Sequence, residues 1–243
     1  MDNVALIIST YDKSEDLWLP LEQSYNKFWN DISIPIYLST NFKKFKSESF
    51  NSLQIKDEVS WSDNLIKSLN KIDQKYVLLT FDDLFLTAKV DNKSIEDLMK
   101  IGIKNKYNYI QFYRSISSGK TIDKMLFKKN KETKYKNSTI WSFWKKSVLL
   151  NLLVKEETAW EFEIKGNVRS FSIQDFYSTK INMIPFVNGV VKGKWNPLAK
   201  SKLRKLGFEI SNERASFGFV ETIRYKFRDL QFNVLSYLIQ LIN

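Results

Sequence analysis

The sequence predicts an α/β protein with a mainly parallel central sheet and a basic helical C-terminal tail. Three observations carry this reading. Val4-Ala5-Leu6-Ile7-Ile8 is an unbroken apolar run rich in β-branched residues, a second such run occupies residues 76–81, and apolar residues at helical spacing precede the later runs. Strands buried on both faces read as continuous apolar runs, and their alternation with helices favours a parallel sheet.

The elements follow in order. The first run ends in the polar loop Ser9-Thr10-Tyr11-Asp12. Leu17, Leu21, Tyr25 and Phe28 then recur at spacings that put them on one helical face, and residues 34–38 read as a second strand. Trp61, Leu65, Leu69 and Ile72 form another helical stripe, after which the strand at 76–81 runs directly into Asp82-Asp83. A helix around 95–101 and a strand at 109–113 complete the alternating half. Residues 100–146 hold thirteen Lys/Arg against only Asp123 and Glu132, and read as a basic, partly mobile insertion followed by a helix around 143–153. Residues 158–166 read as a helix or loop and 181–187 as a strand. From Val220 onward, Ile223, Phe227, Leu230, Val234, Leu238 and Leu241 recur at spacings of three or four. The expected division is an α/β domain over 1–200 and a basic amphipathic helical region over 201–243, packed on it or on a membrane.

At 243 residues, one large domain accommodates most of the chain. The 38 Lys+Arg against 27 Asp+Glu give a net charge of +11, which calls for an anionic partner: nucleic acid, a phosphorylated small molecule or an anionic membrane face. Cysteine and histidine are both absent. That excludes a disulfide framework, thiolate catalysis and zinc-finger chemistry, and it removes the usual neutral-pH base. Chemistry here falls to carboxylates, Lys, Tyr or Ser. No apolar run approaches the ~18 residues of a membrane span, and the N-terminus lacks a signal-peptide pattern, so the expected location is the cytoplasm.

Asp82-Asp83 is the strongest single feature. Ligands of open α/β sheets gather at the carboxyl ends of strands, and two adjacent carboxylates there call for a cation or for ribose hydroxyls. Their oxygens suit Mg²⁺ or Mn²⁺, which bridge diphosphate oxygens. The alternative is a strand-end turn with two solvated acids, although the apolar run resumes at once in Leu84-Phe85-Leu86.

The stretch Tyr76-Val77-Leu78-Leu79-Thr80-Phe81-Asp82-Asp83-Leu84-Phe85-Leu86 resembles the aspartate-containing signature of bacterial GT-A-type glycosyltransferases, in particular those of capsule and O-antigen synthesis. Three further blocks match that group in order: Ile7–Asp12 (residues 7–12), Ala159-Trp160-Glu161-Phe162-Glu163-Ile164-Lys165-Gly166, and Gly189-Val190-Val191-Lys192-Gly193-Lys194-Trp195. The resemblance implies a GT-A-like, Rossmann-type domain that binds a nucleotide-diphosphate sugar, a UDP-sugar favoured. By that analogy Asp82 contacts ribose or sugar, Asp83 holds Mn²⁺ or Mg²⁺, and Thr10, Tyr11 and Asp12 line the nucleotide pocket. Many such enzymes have a D-x-D motif and a later His ligand, whereas this chain has adjacent aspartates and no His. Lys192 or Lys194 then becomes a candidate to neutralise the leaving diphosphate.

Inverting glycosyl transfer needs a carboxylate to accept the acceptor hydroxyl's proton. The resemblance favours Glu163, with Glu161 second. Glu161 has a competing explanation, since Thr158 three residues earlier makes it the N3 member of a capping box. Trp160 walls the acceptor sugar or belongs to the core, and Trp61 covers the nucleobase or packs internally. Arg114 and Arg169 are further candidates for the diphosphate. The acceptor implied is a glycan or a lipid-linked polyprenyl diphosphate, reached from the inner membrane face.

From Lys192 to Arg228 there are ten basic residues against Glu209, Glu213 and Glu221, which with the amphipathic tail suits an anionic membrane surface; packing on the sheet or dimerisation are the alternatives. A different class of function, a nucleic-acid-binding module, would use the 100–146 stretch with Tyr107, Tyr109, Phe112, Tyr113 and Phe127 for stacking. Phosphotransfer through an aspartyl nucleophile would want a D-x-D-x-[TV] motif, which Asp82-Asp83-Leu84-Phe85 does not supply.

Overall fold

A computed structural model describes residues 1–57, 59–113, 119–122, 125–130, 136–227 and 231. The elements are β1 (Val4–Ser9), α1 (Glu15–Phe28), β2 (Ile36–Thr40), β3 (Asn51–Gln54), α2 (Trp61–Asn70), β4 (Tyr76–Phe81), β5 (Leu84–Leu86), α3 (Asn92–Lys104), β6 (Tyr109–Gln111), β7 (Gly119–Thr121), β8 (Leu126–Lys129), β9 (Ser142–Lys145), α4 (Lys146–Leu152), α5 (Ala159–Arg169), β10 (Phe176–Thr179), β11 (Phe186–Asn188), β12 (Val190–Val191), β13 (Lys194–Trp195) and α6 (Pro197–Lys205). A short 3₁₀ turn at Asp12–Ser14 leads into α1, and residues 219–227 are helical.

The central sheet runs β3-β2-β1-β4-β9-β6-β10-β8-β7. Only β9 and β8 run against the other strands, so the expected mainly parallel sheet is present. Every residue of β1 and β4 except the last is buried, as continuous apolar runs require. Apolar side chains alternate between two cores. Leu6, Ile8 and Leu78 face α1 and α3, while Ala5, Ile7, Val77 and Leu79 face α2, α4 and α5.

The chain leaves β1 toward β2 and β3 on one side and returns to β4 on the other. The sheet order therefore reverses between β1 and β4, and at such a switch point the loops at the carboxyl ends diverge and leave a crevice.

Several expectations are corrected. The 100–146 stretch is no basic insertion: its described parts supply β7, β8 and β9, and β9 lies between β4 and β6. Phe143 and Trp144 are strand residues packed into opposite cores, so the helix begins at Lys146 rather than 143. A bulky aromatic pair followed by two lysines has no helical period of its own, and burial on both faces decides in favour of a strand. The strand expected at 181–187 is displaced. Its place in the sheet is taken by β10, and only 186–188 pairs elsewhere, with β5. The second strand starts at Ile36, because Pro35 has no N–H for the ladder and offers only its carbonyl, to Leu6. The short, half-exposed edge strand β3 was not foreseen. The aromatic residues proposed for base stacking are structural: Tyr109 and Phe112 are fully buried, and Tyr107 stacks on Tyr177. α6 runs across residue 200, and the tail periodicity from 228 onward lies outside the described residues apart from 231.

Candidate active site

Ser9 and Phe81 are paired at the ends of β1 and β4, so the loops that follow, Thr10–Ser14 (residues 10–14) and Asp82-Asp83, leave the sheet side by side. Thr10 Oγ1 donates to Asp82 Oδ2 at 2.5 Å, and the Trp18 indole N–H donates to Thr10 Oγ1 at 2.9 Å. Asp82 is thus held in place with only 8% of its surface exposed. Burial raises its pKa, opposed by hydrogen bonds from Thr10 and Ser14 and by the charge of Arg214. Asp83 is half-buried; burial, then repulsion from Asp82, raises its pKa well above the carboxylate range. Among the described residues no ion pair reaches either acid. Two adjacent carboxylates at the carboxyl edge of the sheet, offset only in part by Arg214, store an unfavourable interaction that a cation relieves.

The block at 189–195 covers this pair. Gly189 N–H donates to the Asp83 carbonyl at 2.7 Å, and a Cβ at Gly189 would fall 2.4 Å from the Phe85 ring. Only glycine lets the backbone come so close. β12 and β13 form a hairpin whose two-residue turn, Lys192-Gly193, has φ of 51° and 75°, the left-handed pair that a tight hairpin turn requires. Lys192 is exposed at the tip, Lys194 pairs with Glu221 at 3.0 Å, and buried Trp195 stacks on Phe85.

Arg214 closes the other side, and nothing in the local sequence pattern singled it out. Its guanidinium binds Asp16 through Nε (2.9 Å) and Nη2 (2.6 Å), and Nη1 donates to the Gly193 carbonyl at 3.3 Å. It joins the start of α1, the hairpin turn and its own segment, and it lies within electrostatic reach of Tyr11, Asp82 and Asp83. Tyr11 is half-buried beside it. Asp12 serves as a clamp: its carboxylate accepts the backbone N–H groups of Asn41, Phe42 and Lys43, tying the loop after β1 to the loop after β2.

Trp61 opens α2 behind a Ser60 N-cap and stacks on Phe81 with ring centroids 6.3 Å apart, with Phe162 on another side at 5.4 Å. It packs the strand end against α5 rather than lying free over a base. Its indole N–H and the Thr80 hydroxyl are buried with no protein partner.

On α5 the two glutamates differ. Glu161 completes a capping box with Thr158 and pairs with Lys165 at 2.9 Å, which holds its carboxyl down at about 2. Such a carboxylate is a poor base. Glu163 Oε1 accepts from Ser138 Oγ (2.9 Å), Thr139 N–H (2.8 Å) and Thr139 Oγ1 (2.9 Å), and none of these bonds falls on Oε2. Ser138 N–H in turn donates to the Tyr109 hydroxyl at 2.9 Å. Because β9 begins at Ser142, which pairs with Leu79 and Gln111, residues 138–139 lie toward the same end of the sheet as Asp82. Ser138 and Thr139 carried no sequence signal, since the loop that holds them is recognised only once β9 is in the sheet. Trp160 is 64% exposed, so it is no core tryptophan. Arg169 is committed to Glu157, with bonds of 2.9 and 2.6 Å, and to the Leu152 carbonyl. It is therefore not available to a diphosphate. Arg114 lies outside the described residues.

The described residues hold no group of three or more potential acidic, His or Cys metal ligands. Asp82 and Asp83 nevertheless fit Mg²⁺ or Mn²⁺, hard cations that keep several waters and take one or two carboxylates plus phosphate oxygens.

No family model matches the chain, and no curated protein matches it in sequence. Similarity appears in the fold. S. aureus TarS 1–349 in complex with UDP superposes with a TM-score of 0.52 at 10% identity, over 85% of this chain and 64% of that one. UDP-glucose pyrophosphorylase complexed with UDP-glucose gives 0.54 at 8% identity, over 85% and 99%. The mannosyltransferase PcManGT from Pyrobaculum calidifontis, in complex with GDP-Man and Mn²⁺, gives 0.52 at 9% identity, over 81% and 59%. The chain spans less than two thirds of the length of TarS 1–349 and of the mannosyltransferase. These likenesses show a fold of the GT-A type, with Asp82-Asp83 at the carboxyl edge of its sheet.

Proposed function

We propose that the chain is a nucleotide-sugar-dependent glycosyltransferase. The observation that carries this reading is the Asp82-Asp83 pair, its pKa values raised by burial and its charge only partly offset by Arg214, at the β1/β4 switch point, where open α/β sheets bind nucleotides. TarS crystallised with UDP or UDP-GlcNAc, and the mannosyltransferase with GDP-Man and Mn²⁺, share the fold and support a nucleotide-diphosphate donor. In this reading Thr10 and Tyr11 line the nucleotide pocket, and Asp12 shapes it by holding the 41–43 loop, while Trp61 supports the end of β4 from within. Asp83 and Asp82 hold Mn²⁺ or Mg²⁺, which would supply charge compensation for the diphosphate. Lys192, exposed at the hairpin tip, and Lys194, once released from Glu221, would attract the leaving group.

Glu163 is the base. Anchoring Oε1 with three donors fixes the carboxylate plane and leaves Oε2 to take the acceptor hydroxyl's proton as the sugar carbon is attacked from the face opposite the diphosphate. In this reading the transfer is inverting. The acceptor is a glycan or polyprenyl-diphosphate-linked sugar of a bacterial surface polysaccharide, and the protein works at the inner face of the membrane. No helix among the described residues is long and apolar enough to cross a membrane.

The test is thermal. UDP with Mn²⁺ should raise the melting temperature of the wild type and leave that of Asp83→Ala unchanged; absence of a shift with any nucleoside diphosphate, with or without metal, would overturn the reading. Nucleotidyl transfer is the rival, favoured by the likeness to UDP-glucose pyrophosphorylase over nearly all of that chain. The loop after β1, Ser9-Thr10-Tyr11-Asp12-Lys13-Ser14, contains no glycine to cradle a triphosphate, which weighs against it. Diphosphate release from UTP and a sugar 1-phosphate would establish the rival instead.

A further inference from the structure

The helix at 219–227 exposes Phe219 (82%), Val220, Ile223 and Phe227 to solvent. At about 100° per residue these four fall within an arc of roughly 100°. Lys226 borders the arc on one side and Arg224 on the other. The opposite face is the one tied to the protein. Tyr225 packs on Phe217, Glu221 binds Lys194 at 3.0 Å and accepts the Gly218 N–H at 2.9 Å, and Thr222 Oγ1 donates to the Gly218 carbonyl. The segment before it is stitched to the site: Trp195 N–H donates to the Ala215 carbonyl, Phe217 N–H donates to the Trp195 carbonyl, and Arg214 binds Asp16. The helix is therefore held by its polar face, with its apolar face outward.

We propose that this outward face docks on an anionic bilayer and seats the rim of the Asp82-Asp83 crevice against it. Aromatic and β-branched side chains would enter the acyl boundary while Lys226 and Arg224 reach back to lipid phosphates. Charge decides for the membrane over a second copy of this chain. The ten basic residues against three acids between 192 and 228 attract an anionic leaflet and repel an identical surface. In sequence, Leu230, Val234, Leu238 and Leu241 continue the spacing of the arc. The proposal deepens the membrane location given above, and its readout is lipid binding rather than sugar transfer.

The experiment is co-flotation of the full chain with vesicles of phosphatidylcholine alone and of phosphatidylcholine with a quarter phosphatidylglycerol. The wild type should float with the anionic vesicles, about tenfold or more better than with neutral ones. Ile223→Asp should abolish flotation, and Arg224→Glu with Lys226→Glu should reduce it to the neutral-vesicle level. UDP-dependent thermal shifts of both variants report that the fold and donor site persist, so a failed donor reading and a failed docking reading are told apart. Equal flotation of Ile223→Asp and wild type, or no flotation at all, would overturn the proposal. So would a wild-type dimer, seen by light scattering, that Ile223→Asp dissociates.

Discussion

Asp82-Asp83 and Glu161/Glu163 are each two acids close together in sequence, and their surroundings treat them oppositely. The aspartates sit at the end of a buried strand, where desolvation pushes both pKa values up and repulsion from Asp82 adds to the rise at Asp83. The glutamates sit two apart on a helix, so their side chains diverge, and each finds separate donors. The first pair is left short of positive charge, while both members of the second are held by hydrogen bonds, Glu163 through Oε1. Adjacency in sequence says little about charge; the element underneath decides it.

Four measurements bear on this contrast. The largest effect belongs to Glu163→Gln, which keeps an acceptor for Ser138 and Thr139 but cannot take a proton. Turnover should fall by about 10²–10⁴-fold with the UDP thermal shift intact. Equal loss of turnover in Glu161→Gln would erase the distinction between the two glutamates. Next is Arg169→Ala, which strands buried Glu157 without its bidentate partner. Chemical denaturation should show a loss of about 3–5 kcal/mol, with nucleotide binding retained in the folded fraction.

The third concerns pH. A folded-state pKa raised above the unfolded value near ~4 means the native state binds protons more tightly, so the aspartate pair costs stability progressively as pH rises from ~4 toward neutrality. Asp83→Asn should flatten that decline, as should Mn²⁺ added to the wild type; a wild-type profile that instead rises over this range contradicts the assignment. Glu161 has the opposite sign, since its lowered pKa gives stability that is lost as pH falls from ~4 toward about 2. The smallest effect is Thr158→Ala, which removes the N-cap of α5 at a cost of about 1 kcal/mol and should leave turnover nearly unchanged.

The β1–β4 half of the fold was readable in sequence because its strands are buried on both faces and its helices carry apolar stripes of the right period. In the other half α3 and β6 were readable, and most of the rest was not. β7, β8 and β10 are three- or four-residue strands, too short to show a period, and β9 is an aromatic pair followed by lysines. At the site, Asp82-Asp83 and Gly189 announced themselves, one by interrupting an apolar run and the other within a compact motif. The capping role of Glu161 was visible in the Thr158 spacing. Arg214, Ser138 and Thr139 were invisible, since each acts on a group distant in sequence that the fold brings near; Trp18 was read only as part of α1, although it reaches back to Thr10.

The Arg214–Asp16 pair joins residues 198 positions apart. During synthesis, Asp16, Asp82 and Asp83 emerge from the ribosome long before the guanidinium that offsets them. A nascent chain that has released its first 200 residues therefore carries the switch-point acids without their resident cation. The positive charge that partly offsets the two aspartates arrives only when residue 214 has been delivered, a late event in the making of the protein.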